Sequence, residues 1–199
     1  SEKCEVTEMN KNIELLMPIK ATPYEHQKKA FAFACDKFGV FDNQLKSRGT
    51  ALLMEMGTGK TIVSIAVSGC MYQYGKINRV LVVAPLSILG VWEEEFAKFA
   101  DFPYSLAILK GTVAKKKEQL TKLPEQGLQV VVVNYESAWR LEKELLAYNP
   151  DLVIADEAHK LKENRSKQSQ GMQHIGDKAK YKLLLTGTVI TNRELDVFS

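Results

Sequence analysis

Cysteine and histidine are both scarce in this chain of 199 residues, and neither is arranged in a ligand or disulfide spacing. Cys4, Cys35 and Cys70 are odd in number and far apart, no Cys-x-x-Cys occurs, and His26, His159 and His174 are scattered. This pattern excludes a disulfide framework and a zinc site, and points to reduced thiols in a reducing compartment. Long apolar runs are missing too. No stretch approaches the ~20 residues that cross a bilayer, and the opening Ser1-Glu2-Lys3-Cys4-Glu5 is not a signal peptide. An intracellular protein with no membrane partner is expected. Charge of one sign is weak: the formal net charge of +3 permits nucleic-acid binding without arguing for it, because a local basic stripe matters more than the total. No internal repeat or low-complexity linker divides the chain.

What is present is the composition of an ordinary globular protein, 45% hydrophobic and 26% charged. The apolar residues fall into short continuous runs separated by helix-like segments. Strands are expected at 50–53, 79–84, 104–109, 130–133, 151–155 and 181–185. Helices are expected at 24–37, from 62 onwards, and at 89–99, 112–123, 137–148 and 164–180. Residues 13–17, interrupted by Pro18, read as a loop or short edge strand. Continuous apolar strands are the kind buried on both faces of a parallel sheet, and their alternation with helices predicts an α/β fold with a mostly parallel central sheet flanked by helices.

The first chemical signal is Met54-Glu55-Met56-Gly57-Thr58-Gly59-Lys60-Thr61, between the first strand and its helix. Strand, glycine turn and helix is the context of a phosphate loop. Gly57, Thr58 and Gly59 let the backbone curl around phosphate oxygens, and the amides opening the helix point at the anion. Lys60 would reach the β- and γ-phosphates, and the Thr61 hydroxyl would ligate Mg²⁺. The strict pattern asks for glycine where Met54 stands. The alternative is a glycine turn that binds nothing.

The second signal is Asp156-Glu157-Ala158-His159, directly after the strand at 151–155. The carboxyl ends of strands are where open α/β sheets place ligands. Asp156 would hold Mg²⁺ largely through its water shell, and Glu157 would orient and deprotonate an attacking water. His159 either relays to the loop after the last strand or caps the next helix. Gln27, early in the first helix, is either a solvated amide or a reader of adenine, since an amide both donates and accepts. The run Lys115-Lys116-Lys117 reads as a solvated helix face rather than a phosphate contact.

Taken together, Gly57-Thr58-Gly59-Lys60-Thr61 and Asp156-Glu157-Ala158-His159 resemble the first RecA-like lobe of superfamily 2 helicases and translocases, most closely the Swi/Snf-related ATPases. The likeness extends in the family's order from Tyr24 and Gln27, similar to its adenine-reading element, through Ala84-Pro85-Leu86-Ser87-Ile88-Leu89 with Trp92 and Phe96, and Val133-Asn134-Tyr135-Glu136. It ends at Leu183-Leu184-Leu185-Thr186-Gly187-Thr188 with Ile190 and Asn192. Met54 and Val189 depart from the family's usual aspartate and proline, and neither removes a catalytic group.

The resemblance implies an N-terminal extension at 1–22 and a helicase-type ATP-binding domain at 23–199. It implies ATP and Mg²⁺ as cofactors, and double-stranded DNA as the partner, with RNA a further option. Pro85, Ser87, Thr186, Gly187, Thr188 and His159 would then couple nucleotide to nucleic acid. A second RecA-like lobe, absent from this chain, would supply arginine fingers worth factors of ~10³ or more. The isolated lobe is therefore expected to bind ATP weakly and hydrolyse it very slowly. The competing readings are a non-catalytic ATP-binding regulatory module and the motor lobe of a restriction or phage replication helicase. Short spacings between the motifs point to a bacterial or phage setting.

Overall fold

Six parallel strands form the centre of the chain, in the order β1-β6-β5-β2-β4-β3. The computed structural model describes residues 12–54, 59–158 and 167–187. The strands are β1 (Gly49–Leu53), β2 (Arg79–Ala84), β3 (Tyr104–Ile108), β4 (Leu128–Asn134), β5 (Leu152–Asp156) and β6 (Tyr181–Thr186). The helices are α1 (Glu25–Lys37), α2 (Lys60–Gln73), α3 (Leu89–Phe99), α4 (Val113–Thr121), α5 (Tyr135–Arg140), α6 (Glu142–Tyr148) and α7 (Lys167–Lys178). A short 3₁₀ turn, Leu86–Ile88, leads into α3.

Both sheet faces are covered, and strand alternation decides which residue serves which core. Val80, Val82, Val130, Val132, Ile154 and Leu183 point to one side, where they pack with Phe31 of α1, Val63 and Val67 of α2, and Trp92 and Phe96 of α3. Leu81, Val83, Val131, Val133, Val153 and Leu184 point to the other, against Ala138 of α5, Leu145 of α6, and Met172 and Ile175 of α7. With two such layers the central strands β2, β4, β5 and β6 are buried on both faces, which explains why they read as apolar runs, whereas the edge strand β1 alternates between exposed and buried.

The amino ends of the strands are fastened structurally. Asp151 Oδ2 accepts from the backbone amides of Asn78 and Arg79 at 2.7 and 3.0 Å. The Tyr148 hydroxyl lies 3.0 Å from the Val80 carbonyl and 3.2 Å from that of Gln129. Burial pushes the Tyr148 phenol far above its ordinary range.

Three local expectations are corrected. Residues 12–16 are helical rather than a loop or strand, and only Ile19 makes an isolated antiparallel bridge, to Ala100. The Leu15 side chain is exposed while Met17 is buried, a contrast that a strand, which puts residues i and i+2 on one face, does not give. The helix expected at 137–148 is two helices, broken at Leu141 (φ −104°, ψ 18°). It starts at Tyr135 because the Asn134 side chain accepts from the Ser137 amide and caps it there. Lys116 is not merely solvated: its Nζ reaches Ser137 Oγ at 2.7 Å, tying α4 to α5.

Candidate functional site

All the chemistry-bearing segments emerge at one edge of the sheet, the carboxyl ends of its strands. Read across that edge, the phosphate loop follows β1, Thr186-Gly187 ends β6, Asp156-Glu157 ends β5, the 85–87 loop follows β2 and Asn134 ends β4. Because β6 and β5 insert between β1 and β2, residues separated by 97 positions in sequence become neighbours.

The phosphate loop is anchored at both sides of its glycines. Met54 is buried in the core and its amide donates to the Thr186 carbonyl at 2.9 Å. This accounts for the departure from glycine at position 54, which serves as a core residue directly after β1. At the far side Gly59 caps α2 with φ 82°, a left-handed conformation that favours glycine. The amides that begin α2 have no partners within the helix, and its first turn carries no acidic residue. Anions are attracted to such an end. Thr61, second in the helix, is half-buried beside it. Gly57 and Thr58 lie outside the described residues.

Lys60 carries the site's positive charge. Its ammonium lies 2.8 Å from Asp156 Oδ1 and 3.2 Å from Glu157 Oε1, and the side chain is 11% exposed. Burial alone would lower the lysine pKa; the Asp156 carboxylate and then that of Glu157 override it and hold the ammonium above its ordinary value. Strand parity explains the meeting. Asp156 shares the face of Ile154, the side on which α2 and α3 pack.

Asp156 is itself 1% exposed and held from two further directions. The Trp92 indole Nε1 donates to its Oδ2 at 3.0 Å, and the Tyr135 hydroxyl donates to its backbone carbonyl at 2.6 Å. Burial, then the Asp156 and Glu157 charges, pushes the Tyr135 phenol well up. Asp156 Oδ1 is buried and, among the described residues, meets no donor but the Lys60 ammonium. Glu157 follows with φ 56°, unusual for a non-glycine residue and a form of local strain that clusters at functional sites.

Gln27 is buried at 4% exposure, not solvated. Its Oε1 accepts from the Tyr24 amide at 2.8 Å, and its Nε2 lies directly over Gly59, where a Cβ would come within 2.1 Å. The exposed Tyr24 ring stacks on His26 with centroids 5.8 Å apart and planes 9° from parallel. The α1 start is thus assembled on the phosphate loop.

A cleft of about 710 Å³ opens further along the same edge, between the ends of β2, β3 and β4. Leu86, Leu89 and Gly90 form one wall, and Lys110, Lys116 and Arg140 bring positive charge to it, with Glu136 on the same lining paired to Arg140 at 3.0 Å. Pro85 and Ser87 flank this wall, with Ser87 exposed. Thr186 is elsewhere: 1% exposed and beside the phosphate loop rather than on the cleft, with the exposed Gly187 after it. His159 and Thr188 lie outside the described residues.

Sequence reasoning named Trp92 only as part of a motif, without its contact to Asp156, and missed Lys110 and Arg140. Trp92 sits at core spacing, and only its partner across the sheet distinguishes it from a packing residue. The two cations come from separate segments and form no run.

A parallel sheet with a strand–glycine turn–helix junction and an acidic pair on a nearby strand defines a RecA-like lobe. Comparison with known proteins specifies the family. The SNF2-related domain model matches residues 11–199, and the chain belongs to that family. It is similar to Switch 2 of Arabidopsis thaliana, 31% identical over 88% of this chain and 20% of the relative. It is also similar to the DNA excision repair protein ERCC-6-like of Mus musculus, 29% identical over 88% of this chain and 14% of the relative. The DNA repair and recombination protein RAD54-like of Drosophila ananassae is 30% identical over 89% of this chain and 23% of the relative. Among solved structures, the Sulfolobus solfataricus SWI2/SNF2 ATPase core in complex with dsDNA superposes with a TM-score of 0.72 at 28% identity, over 91% of this chain and 36% of that one. The chain therefore spans a quarter or less of the curated relatives' length. Family membership implies use of a nucleotide. Among the described residues no helix is long and apolar enough to cross a membrane.

Proposed function

We propose that this lobe is the ATP-binding half of a DNA-dependent ATPase that moves along duplex DNA. The observation that carries the reading is the convergence of Lys60, Asp156 and Glu157 beside the open amides of α2, at the carboxyl edge of the sheet. In this arrangement Lys60 pairs with carboxylates; with ATP present it turns to the β- and γ-phosphates, joined by the loop amides of Gly57, Thr58 and Gly59. Thr61 and Asp156 would hold Mg²⁺, and the buried Asp156 Oδ1, which meets no donor but the Lys60 ammonium, suits that task. The metal, when bound, neutralises charge on the phosphate oxygens. Glu157 then has only a water to orient and deprotonate. Gln27 and Tyr24 would recognise adenine from the start of α1.

Duplex DNA would lie along the basic cleft, with the 85–87 loop and Lys110, Lys116 and Arg140 at its backbone. The relative solved with dsDNA supports this choice of partner. Thr186, buried between the two halves of the site, would relay from nucleotide rather than touch the strand, together with Gly187, Thr188 and His159. A second RecA-like lobe would close on the 23–199 domain around ATP and reopen after hydrolysis, stepping the DNA. An intracellular protein is part of this reading, and the short spacings between motifs favour a bacterial or phage source.

The test is ATP hydrolysis by the longer two-lobed polypeptide, without nucleic acid and with duplex DNA, single-stranded DNA or RNA. Strong stimulation by duplex, with loss of ~10²-fold or more in Glu157→Gln and ATP binding retained, is expected. No stimulation and an unaltered Glu157→Gln protein would favour a nucleotide switch without catalysis.

A further inference from the structure

Trp92 is the largest side chain fully buried in the protein, and its polar end meets a buried carboxylate rather than an apolar neighbour. The ring packs beside Phe96, with centroids 6.4 Å apart, on the inner face of α3. The indole N–H, a donor with no acceptor capacity, leaves that apolar layer to meet Asp156 Oδ2 at 3.0 Å, 64 residues away in sequence. A ring of the same shape without the N–H would fill the same space, so packing alone does not require the nitrogen. What the nitrogen does is fix one oxygen of a buried carboxylate.

The consequence falls on the other oxygen. A carboxylate at the end of a strand can rotate about its last torsion, which is broad and roughly two-fold. With Oδ2 held by Trp92 and the backbone carbonyl of Asp156 held by Tyr135 at 2.6 Å, both the carboxylate plane and the strand end are set. Oδ1 is then presented to the space beside Lys60, without any other donor. Outer-shell donors of this kind orient metal-binding carboxylates and are worth about 10- to 100-fold in metal affinity.

We propose that Trp92 is a positioning residue for the metal site: its indole N–H holds Asp156 so that Oδ1 faces the phosphates and their cation. The inference rests on the nucleotide reading above and adds to it a residue outside the phosphate loop and the acidic pair. Trp92 touches neither nucleotide nor metal; it acts through Asp156. Its position also has a bearing on regulation. It stands one turn after Leu89 and six residues after Leu86, which wall the basic cleft, so the segment that would feel DNA is the one that holds the carboxylate.

The experiment compares the 199-residue chain with Trp92→Phe and with a chain carrying benzothienylalanine at position 92, in which sulphur replaces the N–H within the same ring shape. Binding of ATP without divalent cation, and of Mn²⁺ with ATP by electron paramagnetic resonance, is measured for each. Both variants are expected to bind metal-free ATP as the unsubstituted chain does, and to bind Mn²⁺ about 10- to 100-fold more weakly in its presence. A purely structural role would not separate these two quantities. Unchanged Mn²⁺ binding in both variants would overturn the proposal. So would a loss confined to the phenylalanine variant, because that would assign the effect to packing. Failure of the unsubstituted chain to bind ATP at all, even at concentrations that saturate a weak site, would instead overturn the nucleotide reading, and this proposal with it.

Discussion

Replacing Gly59 by alanine tests whether the start of α1 and the phosphate loop are one mechanical unit. Two separate penalties follow from the structure. Gly59 has φ 82°, and a residue with a Cβ in that left-handed region is strained by roughly 1–2 kcal/mol. In addition the new Cβ would stand 2.1 Å from Gln27 Nε2. That atom is the end of a flexible side chain, so the amide can swing away. Gln27 is buried, however, and moving it breaks the bond from the Tyr24 amide to its Oε1. A hydrogen bond of that kind contributes about 1 kcal/mol. Gly59→Ala should therefore destabilise the chain by about 2–3 kcal/mol.

The decisive comparison is a double-mutant cycle with Gln27→Ala, which removes the obstruction. In that background Gly59→Ala should retain only the backbone penalty, leaving a coupling of about 1 kcal/mol, above the ~0.5 kcal/mol scatter of independent sites. Urea denaturation, read as the shift in midpoint at constant slope, measures each corner. Additive effects would refute the claim that the Gln27 amide rests on Gly59.

Two further outcomes are expected. Burial, before any charge effect, raises the phenols of Tyr135 and Tyr148. A folded-state pKa above the unfolded value stabilises the fold fully below pH ~10, and that stabilisation is lost as the pH rises beyond it. After a jump to alkaline pH their phenolate absorbance should appear only with the loss of far-ultraviolet circular dichroism; immediate ionisation of both would refute their burial. For the cleft, Lys110→Gln in the two-lobed polypeptide should weaken duplex binding uniformly across sequences and lower its salt slope by about one; an unaltered slope would remove Lys110 from the DNA contact.

Much of the fold was legible because its signals are local. Runs such as Val130-Val131-Val132-Val133 are apolar on both sides because both sheet faces are covered. Gly59-Lys60-Thr61 sits at a strand-to-helix junction for reasons of backbone freedom and helix-end charge that need no tertiary knowledge. Where local signals were ambiguous, the reading failed. An apolar run at 13–17 suited a strand or a helix turn equally, and the break at Leu141 leaves no proline or glycine to mark it. Gln27 as an isolated amide could not be told from a solvated one, because its burial depends on Gly59, which lies 32 positions on.

By itself the sequence determined the kinds of element, their alternation, and the fact that a glycine loop and an acidic pair each follow an apolar strand. It could do so because periodicity, backbone freedom and charge act over a few residues. Only the tertiary structure decided which strand ends are neighbours. Inserting β6 and β5 between β1 and β2 brings Lys60 to within 2.8 Å of Asp156, and strand parity turns Asp156 toward α2 and α3, where Trp92 meets it. No spacing encodes that meeting, since it arises from the order in which the sheet is assembled and from which face each side chain takes.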